Sequence, residues 1–272
     1  DAEVDALIVQ DLRLLSLNLP PIPLHASTQM DNRTAEKVTL LAELGFNQVV
    51  LARELTTDEI AKIHSASPAT ALEVFVHGAL CVSLSGRCNA SEALFGRSAN
   101  RGQCAQVCRM AFDLIADGTT VMRDKHLLSL KDNCQIDHLE ELLMAGASSL
   151  KIEGRLKDVD YVKNVTAAYS QALDAVIAKH PKDFCRASTG HSKLKFEPNV
   201  YKSFNRGFVK DTSKPDANLD TPKSIGEPVT SKTTLHNGDG LCYIEKGKLV
   251  GFRVNNANLF RPTKGTRYFR NQ

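Results

Sequence analysis

"ALEVFVHGALCVSLSGRC", residues 71–88, is the stretch on which the reading of this chain turns. Its first ten residues form an apolar run with Val74, Phe75 and Val76 at its centre, the composition of a buried strand. The run passes directly into Cys81 and Cys88, set among serines and a glycine. In a parallel α/β barrel, the carboxyl ends of the strands form the face that carries the chemistry. The stretch therefore predicts both a parallel sheet and the place on it where a site would lie.

Working outward, the same alternation of strand and helix recurs. "DALIVQD" (5–11), "PLHASTQM" (23–30), "NQVVLAREL" (47–55), "HLLSL" (126–130) and "SSLKIEG" (148–154) read as further strands. Between them, "TAEKVTLLAELG" (34–45) has Val38, Leu41 and Leu44 at helical spacing and stops at Gly45. "TTDEIAKIHSA" (56–66) opens with the capping box Thr56/Glu59, and "IDHLEELLMAG" (136–146) and residues 158–179 continue the helical pattern. "RMAFDLIADGTTVMRDK" (109–125) predicts a hairpin turning at Asp117-Gly118.

Strands alternating with helices argue for βα units and a parallel sheet. The expected architecture is a TIM-like (β/α)8 barrel over residues 1–185. Six such strands are visible where a closed barrel needs eight, and the chain opens abruptly on a strand, so about two N-terminal βα units are expected to be missing. The alternative is an open doubly wound sheet, but no Gly-rich phosphate fingerprint follows any strand. Residues 186–272 change character. "PNVYKSFNRGF", "SIGEPVTS", "GDGLCYIEKGKLVGFRVNN" and "TRYFRNQ" read as short strands of a small β-rich, barrel-like domain. The polar stretch 208–223 reads as a loop.

Apolar residues make up 42% of the 272-residue chain, enough for a sizeable core. No apolar run approaches the ~18–20 residues of a membrane span, and the first residues lack the basic and apolar regions of a signal peptide. A cytoplasmic location follows as an expectation, and there clustered cysteines bind metal or react more often than they form disulfides. The net charge of +3 hides an asymmetry: residues 1–185 hold 18 Lys+Arg against 24 Asp+Glu, whereas 186–272 hold 16 against 7. A basic segment of this kind suits a polyanion such as RNA. Lys202, Arg206, Arg253, Arg261, Lys264, Arg267 and Arg270 are its candidate phosphate contacts, with Tyr201, Phe204 and Tyr268 available to stack on bases.

Five of the seven cysteines follow the pattern Cys81-x6-Cys88-x15-Cys104-x3-Cys108, with Cys134 beyond. Structural zinc favours two close Cys pairs, and only Cys104/Cys108 is one. Thiolates at this density also suit an iron–sulfur cluster. Gly86, Gly96 and Gly102 permit tight turns, and Arg87, Arg97, Arg101 and Arg109 would offset a cluster's negative charge. Reduced structural cysteines or a disulfide pair are the plainer alternatives, and Cys185 and Cys242 stand alone. Strand ends supply further site candidates: His25, Thr28 and Gln29; Arg53 and Glu54; Lys151, Glu153 and Arg155. Their cations suit a dicarboxylate, or else they form an ion-pair layer at the barrel mouth. His77 reads as a packed histidine before a catalytic base.

"EVFVHGALCVSLSGRC" followed by "GRSANRGQCAQVCR" resembles the signature of the collagenase-like peptidase superfamily, peptidase family U32. "HASTQM", "VVLAREL", "LSLKDNCQIDHLEELLMAGASSLKIEGRLK" and "YKSFNRGF" extend the likeness over most of the chain, with features most like the family's ribosomal RNA branch. The resemblance implies a [4Fe–4S] cluster held by Cys81, Cys88, Cys104 and either Cys134 or Cys108. Cys134 is preferred because it follows a predicted strand. It further implies RNA base hydroxylation, forming 5-hydroxycytidine in 23S ribosomal RNA with prephenate as co-substrate. The alternatives are a collagenase-like peptidase and a non-catalytic RNA-binding factor. A metalloprotease would show H-E-x-x-H, which the sequence lacks.

Overall fold

The computed structural model describes residues 3–190, 192–210, 214–222, 228–231, 236, 240–245, 248–253 and 266–269. Five strands, β1 (Leu7–Val9), β2 (Leu24–Ala26), β3 (Gln48–Val50), β4 (Ala71–Ala79) and β8 (Ala147–Ile152), pair in parallel, each beside its predecessor. Among them the order never reverses, as it would at the switch point of a doubly wound sheet.

Helices α1 (Ala35–Glu43), α2 (Thr57–Ala66), α4 (Leu139–Met144) and α5 (Val159–Lys179) cover one face. Their apolar stripes, including Val38, Leu41, Ile60, Ile63, Leu142 and Val165, share one core with Val9, Ala26, Val49, Leu72, Val74 and Val76 of the strands. Thr56 closes the expected capping box on Glu59, and the Asp158 side chain accepts from the Tyr161 N–H at the start of α5. The opposite face of the sheet presents Gln48, Glu73, Phe75 and Lys151, so the strand alternation separates an oily side from a polar one.

The hairpin forms as read. Strands β5 (Phe112–Ala116) and β6 (Thr119–Lys125) pair antiparallel, and Asp117 and Gly118 both have positive φ, the requirement of its two-residue turn. Two expected strands do not form. "HLLSL" is not a parallel strand: residues 126–129 turn, and the pairing segment is β7 (Asp132–Cys134), antiparallel to residues 77–79 of β4. The physical reason is that β8 already occupies that edge of β4 along residues 72–77, leaving only its far end.

"PNVYKSFNRGF" is likewise not a strand. Asn199 caps a short 3-10 turn at Val200–Lys202, and Asn205 donates to the Tyr201 and Ser203 carbonyls while accepting from the Gly207 N–H. Such local side-chain bonds displace a ladder. Asn164 of α5 clamps the segment, donating to the Asn199 carbonyl (2.6 Å) and accepting from the Asn199 N–H (2.8 Å). Val200 joins the core.

Two antiparallel ribbons follow: β9 (Pro228–Ser231) with β12 (Thr266–Phe269), and β10 (Gly240–Glu245) with β11 (Lys248–Arg253). Arg253, Arg267 and Tyr268 fall within them, while Arg261, Lys264 and Arg270 lie outside the described residues. Among the described residues, no helix is long and apolar enough to cross a membrane.

Candidate functional site

The polar face of the sheet is organised around Phe75. Arg53 lies over its ring at 4.0 Å from the centroid, and Lys151 lies 5.6 Å from it. Beneath, Glu73 accepts from Gln48 Nε2 (2.6 Å), Ser149 Oγ (2.9 Å) and Lys151 Nζ (2.7 Å). Arg53 pairs with Glu153 at 2.6 Å. Burial on its own would lower the Arg53 pKa. Glu153, with Cys81 and Glu54 beyond it, more than offsets that and holds the guanidinium charged. The strand-end charges thus form the ion-pair layer, with Lys151 and Arg53 both engaged. Glu73 and Gln48 escaped the sequence reading, although a lone carboxylate at alternate spacing within "ALEVFVHGA" marks a polar inner face.

The cysteine segment is stapled to this layer. Glu54 accepts from the Ser85 N–H (3.0 Å) and hydroxyl (2.9 Å), and Arg33 reaches Glu54 at 3.1 Å. Asp31 takes both Arg33 and Arg87. Burial would raise its pKa, and the two guanidinium hydrogen bonds reverse the shift to a net lowering. At Gly86, φ is +77° and a Cβ would overlap the Gln29 carbonyl, so the loop can pass this close only as glycine. Arg109 ties the far end down, donating to the Leu80 carbonyl (2.8 Å), the Leu130 carbonyl (2.6 Å) and Ser129 Oγ (3.0 Å). The short helix α3 (Ala90–Phe95) and a 3-10 turn at Ala99–Arg101 end on Gly96 and Gly102, both left-handed.

Cys81 and Cys104 keep exposed surface, whereas Cys88 and Cys108 are half-buried. Cys108 lies within electrostatic reach of Cys81, Cys88 and Cys104, and Cys81 within reach of Cys104. Burial pushes the Cys81 thiol up, with Cys108 and Cys104 acting in the same direction and Arg53 opposing. Burial likewise raises Cys108, reinforced by Cys104 and Cys88 and opposed by Arg109. Cys104 Sγ also accepts the Gln106 N–H at 3.3 Å. Among the described residues, no three His, Cys, Asp or Glu side chains converge on the volume of a single metal ion.

Cys134 has different surroundings. It packs against the main core with its Sγ 3.8 Å from the Tyr169 hydroxyl oxygen, and its thiol is raised chiefly by burial. The Tyr169 hydroxyl donates to the Val76 carbonyl (2.6 Å), and its oxygen stands 3.3 Å from His77 Nδ1. A register shift between Phe75 and His77 turns His77 towards α5, where Tyr161, Tyr169 and Phe208 surround it. Burial lowers its pKa to about 4, so it is a neutral, packed histidine.

The remaining candidates disperse. His25 sits half-buried on β2, and Thr28 is a buried structural hydroxyl donating to the Leu51 carbonyl. Gln29 meets the cysteine segment through its backbone. Arg155 is exposed and extends towards Gly102. Of the RNA-contact candidates, basic Lys202 and the stacking candidate Tyr201 are exposed, but Arg206 is buried, pairing with Asp132 at 3.0 Å and donating to the Pro222 carbonyl. Phe204 is likewise covered, by the side chains of Lys157 and Arg206.

With this geometry in place, the profile of peptidase family U32 matches residues 1–218. The chain belongs to that family. Among curated U32-related proteins, it is 50% identical over 93% of its length to the 23S rRNA 5-hydroxycytidine C2501 synthase of Escherichia coli K12, covering 41% of that protein. It is 34% identical over 77% of its length to the tRNA hydroxylation protein P of Helicobacter pylori J99, covering 50%. It is 30% identical over 95% of its length to the collagenase of Porphyromonas gingivalis W83, covering 64%. The chain therefore spans roughly half the length of the U32 relatives it matches. No solved structure matches it.

Proposed function

We propose that this U32 chain is the catalytic part of an RNA base hydroxylase acting on ribosomal RNA in the cytoplasm, forming 5-hydroxycytidine with prephenate as co-substrate. The observation that carries the reading is the 50% identity, over 93% of this chain, to a protein named for that modification. Relatives named for tRNA hydroxylation support the same reaction class. We further propose that the five sequential parallel strands, with helices on one face only, are an arc of a (β/α)8 barrel. The ribbons after residue 228 would belong to a second, β-rich domain.

The donor set fits a [4Fe–4S] cluster. Cys108 acts on Cys81, Cys88 and Cys104 without three side chains enclosing a single ion, as suits a centre whose irons each take one thiolate. Cys81, Cys88 and Cys104 would hold it, and the fourth position is assigned to Cys108 because its thiol lies among the other three while that of Cys134 faces Tyr169. When bound, such a cluster supplies one-electron chemistry that side chains lack. The chain's own residues do the rest. Arg53 and Arg109 offset thiolate charge, the Glu54–Ser85 staple fixes the loop on β3, and exposed Arg155 offers a cation to an anionic ligand.

The peptidase alternative would need a base that reaches substrate, and His77 is 2% exposed and walled by rings. Anaerobic purification with iron, sulfide and absorbance analysis tests the reading, together with mass spectrometry of ribosomal RNA from cells lacking and regaining the gene. A brown protein whose gene restores hydroxycytidine is the expected result. A colourless zinc protein, or restoration by a variant lacking Cys81, would overturn it.

A further inference from the structure

Lys157, in the turn between β8 and α5, was not among the residues the sequence singled out. Its Nζ lies 2.9 Å from the centroid of the Phe204 ring and 5.7 Å from that of Tyr161. Among the described residues the ammonium contacts these two rings and has no ion-pair or hydrogen-bond partner, while the Lys157 N–H donates to the Gly154 carbonyl. The guanidinium of Arg206 lies 4.8 Å from the same Phe204 ring. Arg109 lies beyond, close enough to act on both Lys157 and Arg206.

The acids in reach are taken. Asp132 accepts from Arg206 Nη1 and from the Arg206 N–H, and Asp158 accepts from the Tyr161 N–H as the cap of α5. Lys157, Arg206 and Arg109 thus gather against two carboxylates that already accept hydrogen bonds, buried Asp132 and exposed Asp158. Burial, then Arg206, lowers the Lys157 amine to about 8. A half-buried ammonium among like charges is unfavourable unless an anion completes it. Arg53 and Lys151, by contrast, already have Glu153 and Glu73.

We propose that Lys157 is the anchor for a carboxylate of a small organic acid, bound against the Phe204 and Tyr161 rings at the turn between β8 and α5. This rests on the reading above that the chain uses such an acid, and it moves the anion contact from the strand-end charges to the β8–α5 turn. A carboxylate accepts charge-assisted hydrogen bonds from the ammonium, and the two rings exclude water from the pair. A single ammonium flanked by two rings suits a compact ligand. Nucleic-acid backbone is instead gripped by rows of exposed cations.

The test uses the anaerobically reconstituted protein with prephenate as probe. Titration calorimetry should show binding that weakens at least about tenfold in Lys157→Met, on the order of one lost charge-assisted contact, with Lys157→Arg retaining part of it. In the unmodified protein, acetylation at Lys157, mapped by peptide mass spectrometry, should slow several-fold with prephenate present. This second measurement needs no folded variant. Equal affinity in Lys157→Met, or acetylation unchanged by prephenate, overturns the proposal. So does protection by a ribosomal RNA fragment alone, or by inorganic phosphate as well as by prephenate. A changed cluster reduction potential with unchanged prephenate affinity also overturns it, since Lys157 would then serve only to balance cluster charge. Failure of the hydroxylase reading is distinguishable: it would appear as absent iron and absent hydroxycytidine, whatever the calorimetry reads.

Discussion

Cys108 and Cys134 are both half-buried and both have thiols raised by burial, yet they sit in opposite kinds of surroundings. Cys108 lies in a loop without strand pairing, held by Arg109 and crowded by other thiols. Cys134 ends a strand, packs on the core and meets a tyrosine that also holds the β4 backbone. The contrast teaches that cysteines close along the chain need not share surroundings in the fold: other thiols act on Cys108, whereas Cys134 faces a tyrosine. A cysteine packed into the core is a small apolar side chain.

The largest expected effect breaks this comparison outright if it fails. Serine at Cys81, Cys88, Cys104 or Cys108 should abolish most bound iron, because hydroxyls are poor ligands for soft metal centres. Cys134→Ser should leave iron content near that of the parent protein. Iron analysis of the five variants decides it, and loss in Cys134→Ser with retention in Cys108→Ser would reverse the fourth assignment.

Next in size is the buried pair on the other side of Arg109. Arg206→Met leaves the Asp132 carboxylate, with 3% side-chain exposure, without its partner. A destabilisation of about 3–5 kcal/mol is expected by denaturant unfolding. RNA affinity should keep its salt dependence, because a buried arginine contributes no phosphate contact. A flattened salt slope in this variant would return Arg206 to the RNA-binding set.

His77 gives a pH signature to the Cys134 side alone. Its pKa falls from 6.5 to about 4 on folding, so between these values the unfolded chain binds more protons. Stability is then full above about pH 6.5 and declines as pH falls towards 4, by on the order of 3 kcal/mol. Unfolding curves across this range should lose much of that slope in His77→Leu. An unchanged slope would place the titration elsewhere.

The smallest effect sharpens the picture of Cys134. Cys134→Ser should cost only about 1 kcal/mol, since the hydroxyl can still meet Tyr169 while the core loses an apolar contact. Thermal unfolding of the cluster-free protein reads this directly.

Much of the fold was legible because its signals are local. The period of two in "ALEVFVHGA", the Thr56/Glu59 box and the Asp117-Gly118 turn each depend on neighbours a few residues away, and all three formed. "HLLSL" and "PNVYKSFNRGF" misled for the converse reason. The first lost its place to β8, and the second to Asn199, Asn205 and a clamp from Asn164, none of which leaves a periodic trace.

The sequence by itself determined the parallel α/β class, the cysteine-rich segment and the family, since these depend on pattern, spacing and residue identity. Only the tertiary structure decided which charges are already engaged. Lys151 and Arg155 look alike at a strand end, but Glu73 neutralises one and the other stays exposed. Arg206 reads as a basic RNA contact until Asp132, 74 residues away, is found beneath it. Cys134 follows a strand in the sequence, and only the structure sets the Tyr169 hydroxyl 3.8 Å from its sulfur. The reason is physical: a charge or a thiol acts through whatever lies within a few ångströms, and in a sheet built from distant strands those neighbours come from far along the chain.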